Sequence, residues 1–232
     1  MKQGLFDIVI IGAGVIGHSI AFRLKQCRPD LNLAVLGDPM NSLMASRAAA
    51  GMLAPFGECS EADGFFRFCR ESLLQYPNFI NDLISTSDIP VHLSMKGSLM
   101  PSSSLANDWE QRIRFFREEN IPHEIWSPAR CQQLAPALAA SCGEVLWVGE
   151  GQVNNREMHD ALVAASRKLG VEIFEKNVTG FVRDSSIVEA AITSTMEVRS
   201  QKFILASGSW SSQLGDALDL SLPLKPIKGQ MC

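Results

Sequence analysis

No long hydrophobic run occurs in this sequence. The β-branched stretch Ile8 to Ile11 is far too short for a signal-peptide core, and nowhere are there the roughly 18 consecutive apolar residues that a membrane helix needs. A soluble, cytoplasmic protein without a membrane partner is the expectation. Basic runs are missing too: 21 Lys and Arg against 25 Asp and Glu leave a net charge of −4 spread along the chain. It therefore offers no electrostatic footprint for nucleic acid or anionic lipid. The six cysteines form no Cys-x-x-Cys and have no histidine at metal-ligand spacing, so no metal site is expected and reduced thiols are the plain reading. Repeats, linker tracts and compositional bias are likewise absent. With 46% apolar and 20% charged residues, the 232 residues suit one large globular domain or one and a half.

What is present begins at Asp7. Asp-Ile-Val-Ile-Ile is a β-branched run of the kind that fills a parallel strand buried on both faces. Gly12-Ala13-Gly14-Val15-Ile16-Gly17 follows, and Ile20, Ala21 and Leu24 then recur at helical spacing. A second strand is expected over Asn32 to Leu36. Strand, glycine turn, helix and strand within roughly 30 residues make the first half of a doubly wound sheet.

Further along, a long helix is expected over Asp63 to Ile84, with a kink or break at Pro77. Val91 to Pro101 reads as two strands around Lys96-Gly97, and Gly151 to Asn155 as a turn into a helix with Met158, Leu162, Ala165 and Leu169 inward. From Leu222 to Cys232 an extended apolar segment begins without its strand partner, which suggests a truncated or split product.

Gly12, Gly14 and Gly17 have a joint purpose if a phosphate-bearing ligand lies against the turn. The first permits the tight backbone, the second lets a pyrophosphate approach main-chain N–H groups, and the third lets helix and strand pack closely. The ribose-binding carboxylate expected at the end of the second strand is replaced by Gly37. Asp38 stands one position late, either as a shifted ribose ligand or as a turn residue before Pro39. Ala45 to Met52 reads either as a short helix of good propensity or as a small-residue wall for a flat ring system, Met52 being a soft, adaptable side chain. Gly208 follows the strand Phe203 to Leu205 and would let the chain pass close to a nucleotide. Ser207 and Ser209 lack the Gly-x-Ser-x-Gly frame of a hydrolase. His18, His92, His123 and His159 have no acid nearby at relay spacing, so surface or packing roles are expected.

Together these motifs resemble the glycine oxidases, within the FAD-dependent amino-acid and amine oxidases related to D-amino-acid oxidase. The resemblance rests on Asp7 to Gly17, Ser46-Arg47-Ala48-Ala49-Ala50-Gly51-Met52-Leu53-Ala54-Pro55, Gly151-Gln152-Val153, Leu205 to Trp210, and Pro226-Ile227-Lys228-Gly229-Gln230. It covers the family's N-terminal portion. It implies an α/β fold, a Rossmann-like FAD-binding domain over 1–86 and 150–224. The first part of an α+β substrate domain would occupy 87–149, and 225–232 would start the crossing to a C-terminal segment.

The resemblance also implies FAD as cofactor. Val15 and Ile16 would sit at the pyrophosphate turn, and Ala45, Ser46, Ala50, Gly51 and Met52 beside the flavin, Met52 facing the substrate. The Val178 backbone would hold the adenine. Glycine or a small D-amino acid would be oxidised to the imine, with hydride passing to flavin and O2 reduced to H2O2, as in the step that feeds thiazole formation for thiamine. The arginine that clamps the substrate carboxylate is expected after residue 232, so the chain as written should lack turnover. An amine dehydrogenase or demethylating oxidase, and a non-catalytic nucleotide-binding remnant or half of a split enzyme, are the alternatives. Self-association into a homo-oligomer is left open.

Overall fold

The structure is a computed structural model that describes residues 5–41, 44–105, 108–138 and 143–227. Its strands are β1 (Phe6–Ile11), β2 (Leu33–Leu36), β3 (Met52–Leu53), β4 (Leu93–Ser94), β5 (Ser98–Pro101), β6 (His123–Trp126), β7 (Val145–Val148), β8 (Gly151–Val153), β9 (Glu172–Phe174), β10 (Val178–Asp184), β11 (Ile187–Thr193) and β12 (Glu197–Leu205). The α-helices are α1 (Val15–Cys27), α2 (Ala45–Ala48), α3 (Pro55–Glu58), α4 (Gly64–Ser87), α5 (Ser102–Leu105), α6 (Trp109–Glu118), α7 (Pro128–Leu134), α8 (Asn155–Lys168) and α9 (Ser211–Asp216). Two compact units emerge: Met1–Ala50, Asp82–Val91 and Asn155–Cys232 in the first, Gly51–Asn81 and His92–Asn154 in the second. Against the expected domains, residues 51–81 group with 92–154, while α4 contributes residues to both units.

The first unit is built on a six-stranded sheet in the order β10-β11-β12-β1-β2-β9. β1 lies centrally, parallel to β12 and to β2, and β2 is parallel to β9; β11 and β10 extend the sheet antiparallel beyond β12. Alternation along β1 sends Val9 and Ile11 into one cluster with Phe6, Leu36 and Leu214, and Ile10 into another with Ala21, Leu33 and Val35. A strand that feeds two cores in this way must be apolar at nearly every position, which is why its sequence reads as a continuous β-branched run. The expected doubly wound half-sheet is present.

The second unit carries two three-stranded sheets, β3-β8-β4 and β5-β7-β6, around Phe56, Phe66, Leu73, Ile113, Phe116, Leu146 and Val148. The two strands expected around Lys96-Gly97 are present as β4 and β5, and one expectation, at Gly151, is corrected. β4 and β5 do not pair with each other: β4 joins β8, and β5 joins β7. Gly97 between them takes φ +95° and donates its N–H to the Glu150 carbonyl, while Trp147 Nε1 donates to the Lys96 carbonyl at 2.8 Å. These bonds pin the turn and send the strands apart. Gly151-Gln152-Val153, expected as a turn, is the central strand of its sheet, with ladder partners on both sides. The long helix α4 runs through Pro77 as one element.

Leu222 to Ile227 forms no strand, and the rest of the expected terminal strand, 228–232, lies outside the described residues. Among those residues no helix is long and apolar enough to cross a membrane.

Candidate functional site

The glycine turn sits at the carboxyl end of β1. Gly12 donates its N–H to the Leu36 carbonyl at 2.8 Å, and Ala206 donates to the Ile11 carbonyl at 2.7 Å, so the turn is bracketed by the ends of β2 and β12. Two of its glycines are fixed by packing. Gly12 has φ +121°, and a Cβ there would lie 2.2 Å from the Ala206 carbonyl oxygen; a Cβ on Gly17 would lie 1.9 Å from the Gly12 carbonyl oxygen. Gly14 is different. Its φ of −81° is open to any residue, and an added Cβ would meet only the Ser46 Oγ, at 3.0 Å.

Gly14 is also the N-cap of α1. Gly14 brings no side chain to cap this helix start, its first turn holds no acidic residue, and the side chain that meets its first N–H is the neutral Ser46 hydroxyl. The partial positive charge of the first N–H groups is therefore left for something other than this protein's own carboxylates. Ile16 in that first turn is 61% exposed, so the helix start is open to solvent. A phosphate fits such a cradle both sterically and electrostatically.

The small-residue segment closes one side of this opening. Val15 donates its N–H to Ser46 Oγ at 3.0 Å, which sets α2 directly against the turn. Asn155 Nδ2 holds the Ser46 carbonyl at 2.7 Å, and Arg156 Nε holds the Arg47 carbonyl at 3.2 Å. No residue of α2 is buried: Ala45, Ala48 and Ala49 are exposed, and Ser46 and Ala50 are half-buried. Exposed small residues beside the turn make a flat wall on which a ring can rest. Gly51 and Met52 fall in the second unit. Gly51 takes φ +74° and accepts the Val153 N–H, and Met52 pairs with Gln152 in β3 with 63% of its surface exposed.

The structure shows why glycine ends the second strand. Gly37 takes φ +142°, and a Cβ there would come 2.9 Å from the Ala13 nitrogen, leaving no room for a carboxylate without a shift of the turn. Asp38 is half-buried and its Oδ1 accepts the Met40 N–H at 2.8 Å, closing an Asx turn around Pro39. Val178 opens β10 opposite Thr193, half-buried against the cluster of Phe6, Leu36 and Ala191. Gly208 is exposed at φ +58° with nothing within 4 Å of an added Cβ, two residues after the Ala206 carbonyl that packs on Gly12.

Two histidines beneath the turn are more connected than their sequence context implies. His18 on α1 and His159 on α8 are fully buried, their rings 5.9 Å apart at 75°. Ser166 gives its hydroxyl proton to the Leu162 carbonyl at 2.8 Å, so His18 Nδ1, 3.1 Å from that oxygen, must be the donor. His18 Nε2 is left as a bare, buried acceptor without a partner. Burial first, then the neighbouring His159, pushes the His18 pKa down from 6.5 to about 3. His159 Nε2 lies 2.9 Å from the Ala13 carbonyl, and its Nδ1 lies 3.4 Å from Arg47 Nη1, which in turn is paired with Asp160. Burial is the main reason its pKa is lowered as well. The sequence hint for both was position: each falls on the inward face of its helix, beside Ala21 and Phe22 in α1 and beside Met158 and Leu162 in α8. Among the described residues no cluster of three or more His, Cys, Asp or Glu could hold a metal.

The second unit holds a cleft of about 330 Å³. Met52, Phe65, Phe68, Cys69 and Tyr76 are among the residues that line it. Helix α3, on one wall, is clamped at both ends. Glu150 Oε1 accepts the N–H groups of Phe56 and Gly57 at 2.6 and 2.7 Å and its Oε2 accepts the Ser98 hydroxyl at 2.6 Å, while Arg112 donates to the carbonyls of Phe56 and Cys59.

Comparison with known proteins agrees with this geometry. The family described as FAD dependent oxidoreductase matches residues 7–232. Glycine oxidase of Geobacillus kaustophilus is 28% identical over 229 residues, which is 97% of this chain and 60% of that enzyme. A bifunctional ThiO/ThiG protein of Synechocystis sp. is 30% identical over 242 residues, 99% of this chain and 33% of that protein. The crystal structure of the Geobacillus kaustophilus glycine oxidase superposes with a TM-score of 0.86 at 27% identity, covering 95% of this chain and 60% of that one. The chain thus spans between a third and three fifths of the length of these relatives.

Proposed function

The chain belongs to the FAD-dependent oxidoreductases, and on that premise we propose that it forms the cofactor-binding part of an enzyme oxidising glycine or a small D-amino acid with O2. The observation that carries this reading is the start of α1 at Gly14, free of carboxylates, open to solvent at Ile16 and walled on one side by Ser46 and the alanines of α2.

In this reading Gly12, Gly14, Val15, Ile16 and Gly17 hold the pyrophosphate through main-chain N–H groups. The Ser46 hydroxyl accepts from Val15 and keeps its own proton to give to a phosphate oxygen. Ala45, Ser46 and Ala50 support the ring side. Gly51 and Met52, in the second unit, are given ring-side and substrate-side roles by the family resemblance alone. The Val178 backbone serves the adenine, and Gly208 leaves space beside the nucleotide. Asp38 reaches a ribose hydroxyl with Oδ2, since Oδ1 is engaged by Met40. When bound, FAD supplies the two-electron acceptor that the protein's side chains lack. The overall reaction turns the amine into an imine, which water hydrolyses to an oxo acid and ammonia, while O2 becomes H2O2. Its place is with the reactions that feed thiazole formation for thiamine.

Titration of the purified chain with FAD, followed by flavin fluorescence and absorbance, tests the reading. A yellow protein that retains FAD and ignores NAD is expected; a colourless one that binds NAD instead overturns it. Peroxide release with glycine or D-alanine then tests the substrate. The 232-residue chain on its own is expected to hold FAD without turnover, and peroxide from glycine would reverse that expectation.

A further inference from the structure

We infer that His159 is a positioning residue that fixes the distance between the glycine turn and α2, a role that rests on the FAD reading above. The Ala13 carbonyl can only accept, so His159 Nε2, 2.9 Å away, carries the proton and Nδ1 presents a lone pair. That lone pair faces Arg47 Nη1 at 3.4 Å. One ring therefore bonds the middle of the glycine turn on one side and the guanidinium of α2 on the other.

Every neighbouring contact reinforces this arrangement. Asp160, next along α8, pairs with Arg47, and Asn155 and Arg156 hold the carbonyls of Ser46 and Arg47. The start of α8 thus grips α2 through both side chain and backbone, and of these α8 residues His159 is the one bonded to the turn. A second, direct link runs from Val15 N–H to Ser46 Oγ. The charged and titratable groups around His159 are Arg47 on α2, Asp160 on α8 and His18 on α1. The Nε2–H tautomer is the one that satisfies both bonds at once.

A ligand that touches only the turn and a ligand that touches turn and α2 must then respond differently when the link is cut. ADP is the first kind of probe and FAD the second. His159→Phe keeps a ring but neither bond; His159→Gln keeps an N–H donor and an acceptor. For the full 232-residue chain, His159→Phe is expected to weaken FAD binding by about tenfold while ADP binding changes by less than about threefold, and His159→Gln is expected to hold both within about threefold. Arg47→Met, which cuts the link on its partly exposed side, should show the same split between FAD and ADP and serves if His159→Phe fails to fold. Thermal midpoints of all variants report the fold separately. A histidine that merely fills the core would weaken both ligands alike, and that result, or an unchanged FAD-to-ADP ratio in Arg47→Met, overturns the inference alone. A wild-type chain that binds neither ligand overturns the functional reading and the inference with it.

Discussion

Helices α1 and α3 begin under opposite conditions. At α3 the first N–H groups meet the carboxylate of Glu150, itself 1% exposed, whose two oxygens take three donors. At α1 the Val15 N–H meets the neutral Ser46 hydroxyl, and no carboxylate caps the start or lies in the first turn. Both starts carry the same kind of orphan donors. One is satisfied from within the protein and serves the packing of the second unit. The other meets a neutral hydroxyl and no carboxylate, in a turn whose middle glycine would bring an added Cβ against a side-chain hydroxyl and not against backbone. The contrast separates a helix end neutralised by the protein's own carboxylate from one that is not, a distinction the glycine pattern does not make.

Substituting the glycines breaks the comparison most severely. Gly17→Ala puts a methyl 1.9 Å from a backbone carbonyl and should cost about 4 kcal/mol or prevent folding, read as a fall in the chemical-denaturation midpoint. Glu150→Ala, at the closed start, leaves two N–H groups and a hydroxyl without their acceptor and should cost about 3 kcal/mol, with FAD affinity in the surviving folded protein unchanged. Next comes acid. Because the folded state depresses the His18 pKa, the unfolded chain binds the extra proton first. Stability is therefore full above about pH 6.5 and falls toward pH 3, by about 2 kcal/mol at pH 5 from this group. Urea midpoints between pH 7 and 4 measure this, and His18→Gln should flatten the dependence. The smallest change in stability is expected for Gly14→Ala, within about 0.5 kcal/mol, because the backbone there is relaxed and only a hydroxyl must yield. Yet this methyl occupies the approach of the phosphate, so FAD affinity should drop about tenfold by fluorescence titration. A Gly14→Ala chain that binds FAD normally would remove the distinction between the two helix starts.

Much of the first unit could be read in advance. The β-branched run of β1, the glycine spacing and the helical stripe of α1 act over a handful of residues, and each produces the element expected of it. Gly37 was legible as a departure from the family pattern, although its reason, the approach to Ala13, was not. In the second unit the local reading fared worse. Strands of two to four residues carry little periodicity, so β4 and β5 were found as segments but not with their partners, and β8 was read as a turn. The histidines were assigned to surface or packing roles, and packing fits His18. For His159 that assignment missed the bond to Ala13, because nothing near residue 159 signals a partner in the glycine turn.

The sequence alone determined the strand, the tight turn and the helix that make an anion cradle, since torsional preference and side-chain periodicity are properties of neighbouring residues. Tertiary structure alone decided which helix start stays open and what holds the cradle to its wall. Glu150 reaches its donor at Phe56 across 94 positions of chain, and His159 reaches Ala13 across 146 and Arg47 across 112. Contacts at such separation exist only once the sheets have brought the segments together, and hydrogen bonds, being short-ranged and directional, leave no trace in the order of residues beforehand.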